Sequence, residues 1–179
     1  RGRVRDGCAL LTRALDVMPD GPWQTRLLEQ RAFAYEIMGE YGHEIADATI
    51  ALGFARARGD EHRVIWLLNR QGYAHSRLAQ FGPGQAVLAE ALAICQRLGD
   101  PHAEADTLSH IGRIFLHLDD RTRALTTLER ALAIVEREKF HDLVTVQVTY
   151  GMAAVYNDVY NWDKAISYFQ KSLELAREI

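Results

Sequence analysis

The 179-residue chain has little of several things. It holds two cysteines, Cys8 and Cys95, and no C-x-x-C. That excludes a disulfide framework and a paired-cysteine metal site, and both thiols read as small buried hydrophobes of a reducing, cytoplasmic compartment. Four prolines and dispersed charge exclude a long disordered tail. No apolar run approaches the length of a membrane span, and the start lacks the apolar core of a signal peptide. The chain begins at Arg1 rather than Met, so it is expected to be a fragment of a longer protein. Charge of one sign is also missing: 21 basic against 24 acidic residues leave a net charge of −3, with no basic half. A phosphate-tracking nucleic-acid surface is excluded on that ground.

Catalytic signatures are missing too. There is no phosphate-binding loop, no G-x-G-x-x-G and no G-x-S-x-G. Seven histidines are present, but none form H-x-x-x-H or H-E-x-x-H. His110 and His117, seven apart, would be separated by about 10.5 Å on a helix, too far for one ion. Asp119-Asp120 reads as an inter-helix turn rather than a metal site. The expectation is no enzyme, no cofactor and no metal.

What is present is a repeat at a spacing of 40. Ala32, Gly72 and Gly112 keep that step, as do Ala51, Ala91 and Ala131, each followed by Leu, and the pairs Gly59-Asp60 and Gly99-Asp100. The fourth unit slips by one, placing Ala153 41 after Gly112. Each unit reads as two amphipathic helices. In residues 101–140 one stripe is Leu108, Ile111, Phe115 and Leu118, and the other is Leu125, Leu128, Leu132 and Val135. Gly112 and Ala124 are expected where the two helices touch most closely, because small side chains let the axes approach. Glycines supply the C-terminal turns and Asp60, Asp100 and Asp20 the following caps, with Pro101 at a first helical position and Pro83 near the start of a helix over about 84–98. Nine helices result: an N-terminal remnant over about 3–18, then four pairs.

These residues resemble the tetratricopeptide repeat (TPR) family. The fourth unit carries Ala153, Tyr156, Ala165, Phe169 and Ser172, with Trp162 in the turn; the third carries Gly112, Phe115, Ala124, Leu128 and Ala131. The second gives Gly72, His75, Gly84, Leu88 and Ala91, and the first Ala32, Tyr35, Glu44, Ala48 and Ala51. Residues 14–19 look like the end of a preceding repeat closed by Pro19. The 40-residue step exceeds the basic repeat of about 34. It is similar to the long repeats of bacterial multidomain regulators and Leu-Gly-Asn-type adaptors. Glu44 stands where Ala is usual, and a shifted register using Ala46 would restore a small residue there.

The resemblance implies an all-α, right-handed superhelical solenoid: a single array over 1–179, with 1–20 the remnant and repeats at 21–60, 61–100, 101–140 and 141–179. The first helix of each pair would line a concave groove. Helical phase then puts Arg26, Glu29, Phe33 and Ile37 in the groove from the first pair, and Trp66, Asn69, Tyr73 and Arg77 from the second. The third contributes Asp106, Ser109, Arg113 and His117; the fourth Gln147, Tyr150, Ala154 and Asp158, bordered by Asn157. Aromatics and Arg dominate protein-binding hot spots. The expected contacts are therefore Arg26, Glu29, Phe33, Trp66, Asn69, Tyr73, Arg77, Arg113, Tyr150 and Asn157. Packing between first helices remains open for Trp66 and Tyr73, and solvated charge for Arg77 and Arg113. A carboxylate clamp needs Lys and Asn at set positions; of Glu29, Phe33, Asn69, Tyr73, Asp106 and His110 only Asn69 fits. The expected function is a protein–protein interaction module taking a peptide or extended segment. The alternatives are the sensing domain of a larger regulator and a homo-oligomerisation scaffold, since Ile166, Phe169, Leu173 and Ala176 leave the last helix apolar with no polar cap. A homodimer through that helix is the expected self-contact.

Overall fold

The computed structural model describes residues 2–18, 21 and 23–179. The expected roles of Pro19, Asp20 and Pro22 lie outside the described residues. Nine α-helices and no strand are found among the described residues: α1 (Gly2–Val17), α2 (Trp23–Met38), α3 (Tyr41–Ala57), α4 (Glu61–Arg77), α5 (Phe81–Leu98), α6 (Pro101–His117), α7 (Arg121–Glu138), α8 (Leu143–Asp158) and α9 (Trp162–Glu178).

Local chemistry sets these boundaries. The side chains of Asp60, Asp100, Asp120 and Asn161 each accept from the backbone N–H three residues on, and Asp142 accepts from Val144 and Thr145. Each satisfies a donor that the first helical turn leaves without a partner. Asp120 is thus a cap, as the Asp119-Asp120 turn suggested. Pro101 opens α6. Helix α5 begins at Phe81, ahead of Pro83 rather than after it, because proline's missing N–H is tolerated within the first turn. The turns before α3, α4, α5, α6, α7 and α9 pass through positive φ, at Gly39, Gly59, Ala79, Gly99, Asp119 and Tyr160.

The chain forms two compact units that divide between Val87 and Leu88, within α5. In the first unit α1 packs on α2, α2 on α3 and α3 on α4. Leu28 and Ala32 of α2, Ala48, Ala51 and Leu52 of α3, and Leu67, Leu68 and Ala74 of α4 form its interior. Two ionic groups share it. Arg31 donates twice to Asp47, both bonds at 2.7 Å, and again to Thr12 on α1. Glu44 is 0 % exposed. The shifted register that would put Ala46 inside does not occur: Ala46 is exposed, and Glu44 keeps the buried slot. The reason is an internal cation, since Arg70 of α4 donates to Glu44 Oε1 at 2.7 Å. A paired carboxylate can occupy a place that an isolated one cannot.

In the second unit α6 packs on α7, α7 on α8, α8 on α9, and α6 also on α8. Its core gathers Ala105, Leu108, Ala124, Leu128, Ala131, Val135, Val148, Met152, Val155 and Ala165. Beside Gly112 the nearest side chain is Leu128 of α7, one turn on from the buried Ala124. A Cβ on Gly112 would stand 2.6 Å from Leu128 Cγ, and one on Gly151 of α8 2.8 Å from Leu128 Cδ2. One leucine of α7 therefore fills the space that glycines on both α6 and α8 leave open.

Candidate functional site

In the first unit the expected contacts lie on α2 and α4. Charges there answer one another. Arg63 Nη1 donates to both oxygens of Glu29, at 2.9 and 3.1 Å. Arg70 Nη2 donates to Glu36 at 2.9 Å as well as to Glu44. Its guanidinium also lies 5.0 Å from the Trp66 ring centre and 5.8 Å from that of Phe33. Phe33 and Trp66 keep 49 % and 42 % of their surface. Glu29, Asp60, His62, Arg63 and Trp66 line a cavity of about 320 Å³. Burial raises the Glu29 carboxyl above the usual carboxylate range, and the Arg63 charge and hydrogen bond work against that rise. For Glu44 burial prevails over Arg70, Glu36 adds repulsion, and its carboxyl is pushed up from 4.5 to about 7.

At the end of α4, Arg77 donates to the Tyr41 hydroxyl at 3.1 Å and lies over that ring. This hydrogen bond and the nearby phenols raise the Arg77 pKa. Tyr73 is half-buried, edge-on to Tyr41. Arg26 is exposed. Asn69 is only 3 % exposed, so its amide is packed inside rather than offered on the face.

In the second unit a cleft of about 190 Å³ lies on α6, α8 and α9, lined by Ser109, Arg113, Leu116, Val146, Gln147, Tyr150, Gly151, Ala154 and Ser172. Helical phase places five of these, Ser109, Arg113, Gln147, Tyr150 and Ala154, on the groove side. Tyr150 is 57 % exposed and meets Phe169 edge-on with ring centres 5.7 Å apart. Arg113 donates to His110 Nδ1. His110 Nε2 stands 3.6 Å from Asp106 Oδ1. Asn157 is exposed and outside the lining.

Sequence reasoning passed over Arg63, Arg70 and Glu36. The signal was present: Glu29 to Arg63 and Glu36 to Arg70 are both 34 residues apart, with opposite charge at each step. It also passed over Ser172 as a cleft residue, because α9 is a second helix of its pair. Among the described residues no three His, Cys, Asp or Glu side chains gather as a metal ion would need, and no helix is long and apolar enough to cross a membrane.

Residues 63–137 match the tetratricopeptide repeat family. No curated protein matches the sequence. Among solved structures, BtubC from P. vanneervenii superposes with a TM-score of 0.73 at 22 % identity, over 99 % of this chain and 74 % of that one. A Rap protein complexed with competence and sporulation factor gives 0.79 at 18 %, over 93 % of this chain and 46 % of its own. The TPR-like repeats of a putative kinesin light chain from P. anserina give 0.73 at 14 %, over 99 % and 88 %. This chain therefore spans less than half of the Rap protein it resembles. At these identities the likeness establishes the fold: an all-α array of TPR-like helix pairs.

Proposed function

From the match of residues 63–137 to the tetratricopeptide repeat family, we propose that the chain is a protein-interaction module that holds a peptide or extended protein segment against its first helices. The observation that carries this reading is the α6/α8 cleft. Its wall combines the exposed Tyr150 ring, aliphatic Leu116 and Val146, and one guanidinium, Arg113. Interfaces concentrate binding energy in such aromatic and arginine anchors around an apolar centre. The first-unit face supports it less. Its arginines Arg63 and Arg70 are each held by glutamates of the same unit, so a partner there gains from Phe33 and Trp66 rather than from charge. That a structure of this fold is complexed with competence and sporulation factor is a precedent for the fold holding a partner.

Panning a random peptide library on the protein tests the reading. Enriched peptides should lose binding by about tenfold or more in Tyr150→Ala, the cost of a modest hot spot, with helicity unchanged by circular dichroism. Ala154→Trp, which fills the cleft, should do the same. Enriched peptides indifferent to both changes would remove the cleft from consideration.

A second reading is self-association through α9. Ile166, Phe169 and Leu173 are 55 %, 38 % and 52 % exposed. They stand 41 residues after Leu125, Leu128 and Leu132 of α7, whose apolar face joins the core. Light scattering over a concentration series decides it, and a strict monomer ends it.

A further inference from the structure

Among the nine residues lining the α6/α8 cleft, Arg113 is the only permanently charged one. A cation on a wall with few other charges attracts an anion more strongly than one in open water, because the effective dielectric is lower. Its direction is set along α6. Arg113 lies against His110 Nδ1, and the other ring nitrogen of His110 faces Asp106 Oδ1 at 3.6 Å. Asp106, His110 and Arg113 follow at steps of four and three, which keeps them on one side of the helix.

The hydroxyls in the cleft add a second constraint. Ser109 donates to the Asp106 carbonyl at 2.7 Å, and Ser172 donates to the Val146 carbonyl at 3.2 Å. With their protons committed, both oxygens present lone pairs, which suit N–H donors. The cleft thus combines one charged donor, two serine oxygens that line it although each serine is only 6 % exposed, and an apolar wall of Leu116, Val146 and Tyr150.

Resting on the partner-binding reading above, we infer that the occupant is an internal peptide segment in which an Asp or Glu side chain lies beside an aliphatic one. The carboxylate meets Arg113, neighbouring backbone N–H groups meet Ser109 and Ser172, and the aliphatic side chain packs on Leu116 and Val146 against Tyr150. An internal acid brings N–H groups on both sides, whereas a chain terminus has none beyond its carboxylate. Asp106 and His110 are positioning residues for the guanidinium.

The test uses Tyr150-dependent peptides recovered from the library, resynthesised with both ends blocked and measured on the full chain by fluorescence anisotropy. They are expected to share an acid next to Leu, Ile or Val. Changing that acid to its amide should weaken binding about tenfold, Arg113→Gln should do likewise, and the two changes together should cost no more than either alone. Arg113→Lys should recover part of the loss, and added salt should weaken the acidic peptide but not its amide. His110→Ala should weaken the acidic peptide alone. The peptide-side change is made on the unaltered protein, so the answer does not depend on how the Arg113 variants fold. Tyr150-dependent peptides without an acid, an equal loss of acid and amide forms in Arg113→Gln, or binding that needs a free C-terminus would each overturn the acidic assignment while leaving the partner reading in place. A library yielding no Tyr150-dependent peptide overturns both.

Discussion

Among the described residues, side chains occupy the left-handed backbone region at Ala79, Asp119, Lys139 and Tyr160, while Gly39, Gly59 and Gly99 fill the other positions of that kind. A Cβ there costs about 1 kcal/mol, which glycine avoids. Gly99→Ala should therefore lower stability by about 1 kcal/mol in urea titrations, and Ala79→Gly should raise it by several tenths of that. No loss at Gly99 would show that the turn can rearrange. Glu44 makes a different kind of prediction. Its carboxyl rests at about 7 in the fold against an ordinary 4.5, because burial outweighs the help of Arg70. Between those values the folded chain keeps a proton that the unfolded chain has released. Stability from this group is therefore fully present below about 4.5 and declines as pH rises towards 7. Melting temperatures taken from pH 5 to 8 should show a shallower decline in Glu44→Gln than in the unaltered protein. Equal slopes would mean that the carboxylate ionises freely where it is.

At the scale of the helix, caps and close approaches decide length and spacing. Asp100 closes the N-terminus of α6 by accepting from Ala103 at 3.0 Å, directly before Pro101. Asp100→Ala should cost about 1 kcal/mol, the usual loss for a missing cap, and Asp100→Asn should recover most of it. Gly112 and Gly151 let α6 and α8 both close on Leu128 of α7. Gly112→Ala should cost about 1–3 kcal/mol through overpacking, measured by denaturant midpoint. A smaller loss would mean that Leu128 can turn aside. The cap at Asp100 and the small residue at Gly112 were legible in the sequence through the 40-residue step, whereas Gly151 was not, because the small residue of the fourth unit was read at Ala153. The bond partners were only partly legible. Helical phase names a face but not the residue across from it, such as Leu128 beside both Gly112 and Gly151.

Over the whole chain, the cost of a core change should follow how many helices it serves. Leu128 is 0 % exposed and touches the paths of both α6 and α8. Leu128→Ala should cost about 2–5 kcal/mol and loosen the cleft those helices frame, which peptide titration would register as weaker binding even in the folded fraction. Composition, charge balance and the spacing of small residues determined that the protein is all-α, built of paired helices and without a recognisable catalytic motif, because periodicity and caps are local properties of the chain. They also pointed to Ser109, Arg113, Gln147, Tyr150 and Ala154 together, because one helical face follows from phase alone. Packing decided the rest. It buried Asn69, gave Arg63 and Arg70 to glutamates of the same unit, kept Glu44 inside instead of Ala46, and brought Ser172 of α9 to the cleft. Each outcome depends on which side chains from distant parts of the chain share one small space, and that is settled by volume, charge and desolvation together rather than by spacing.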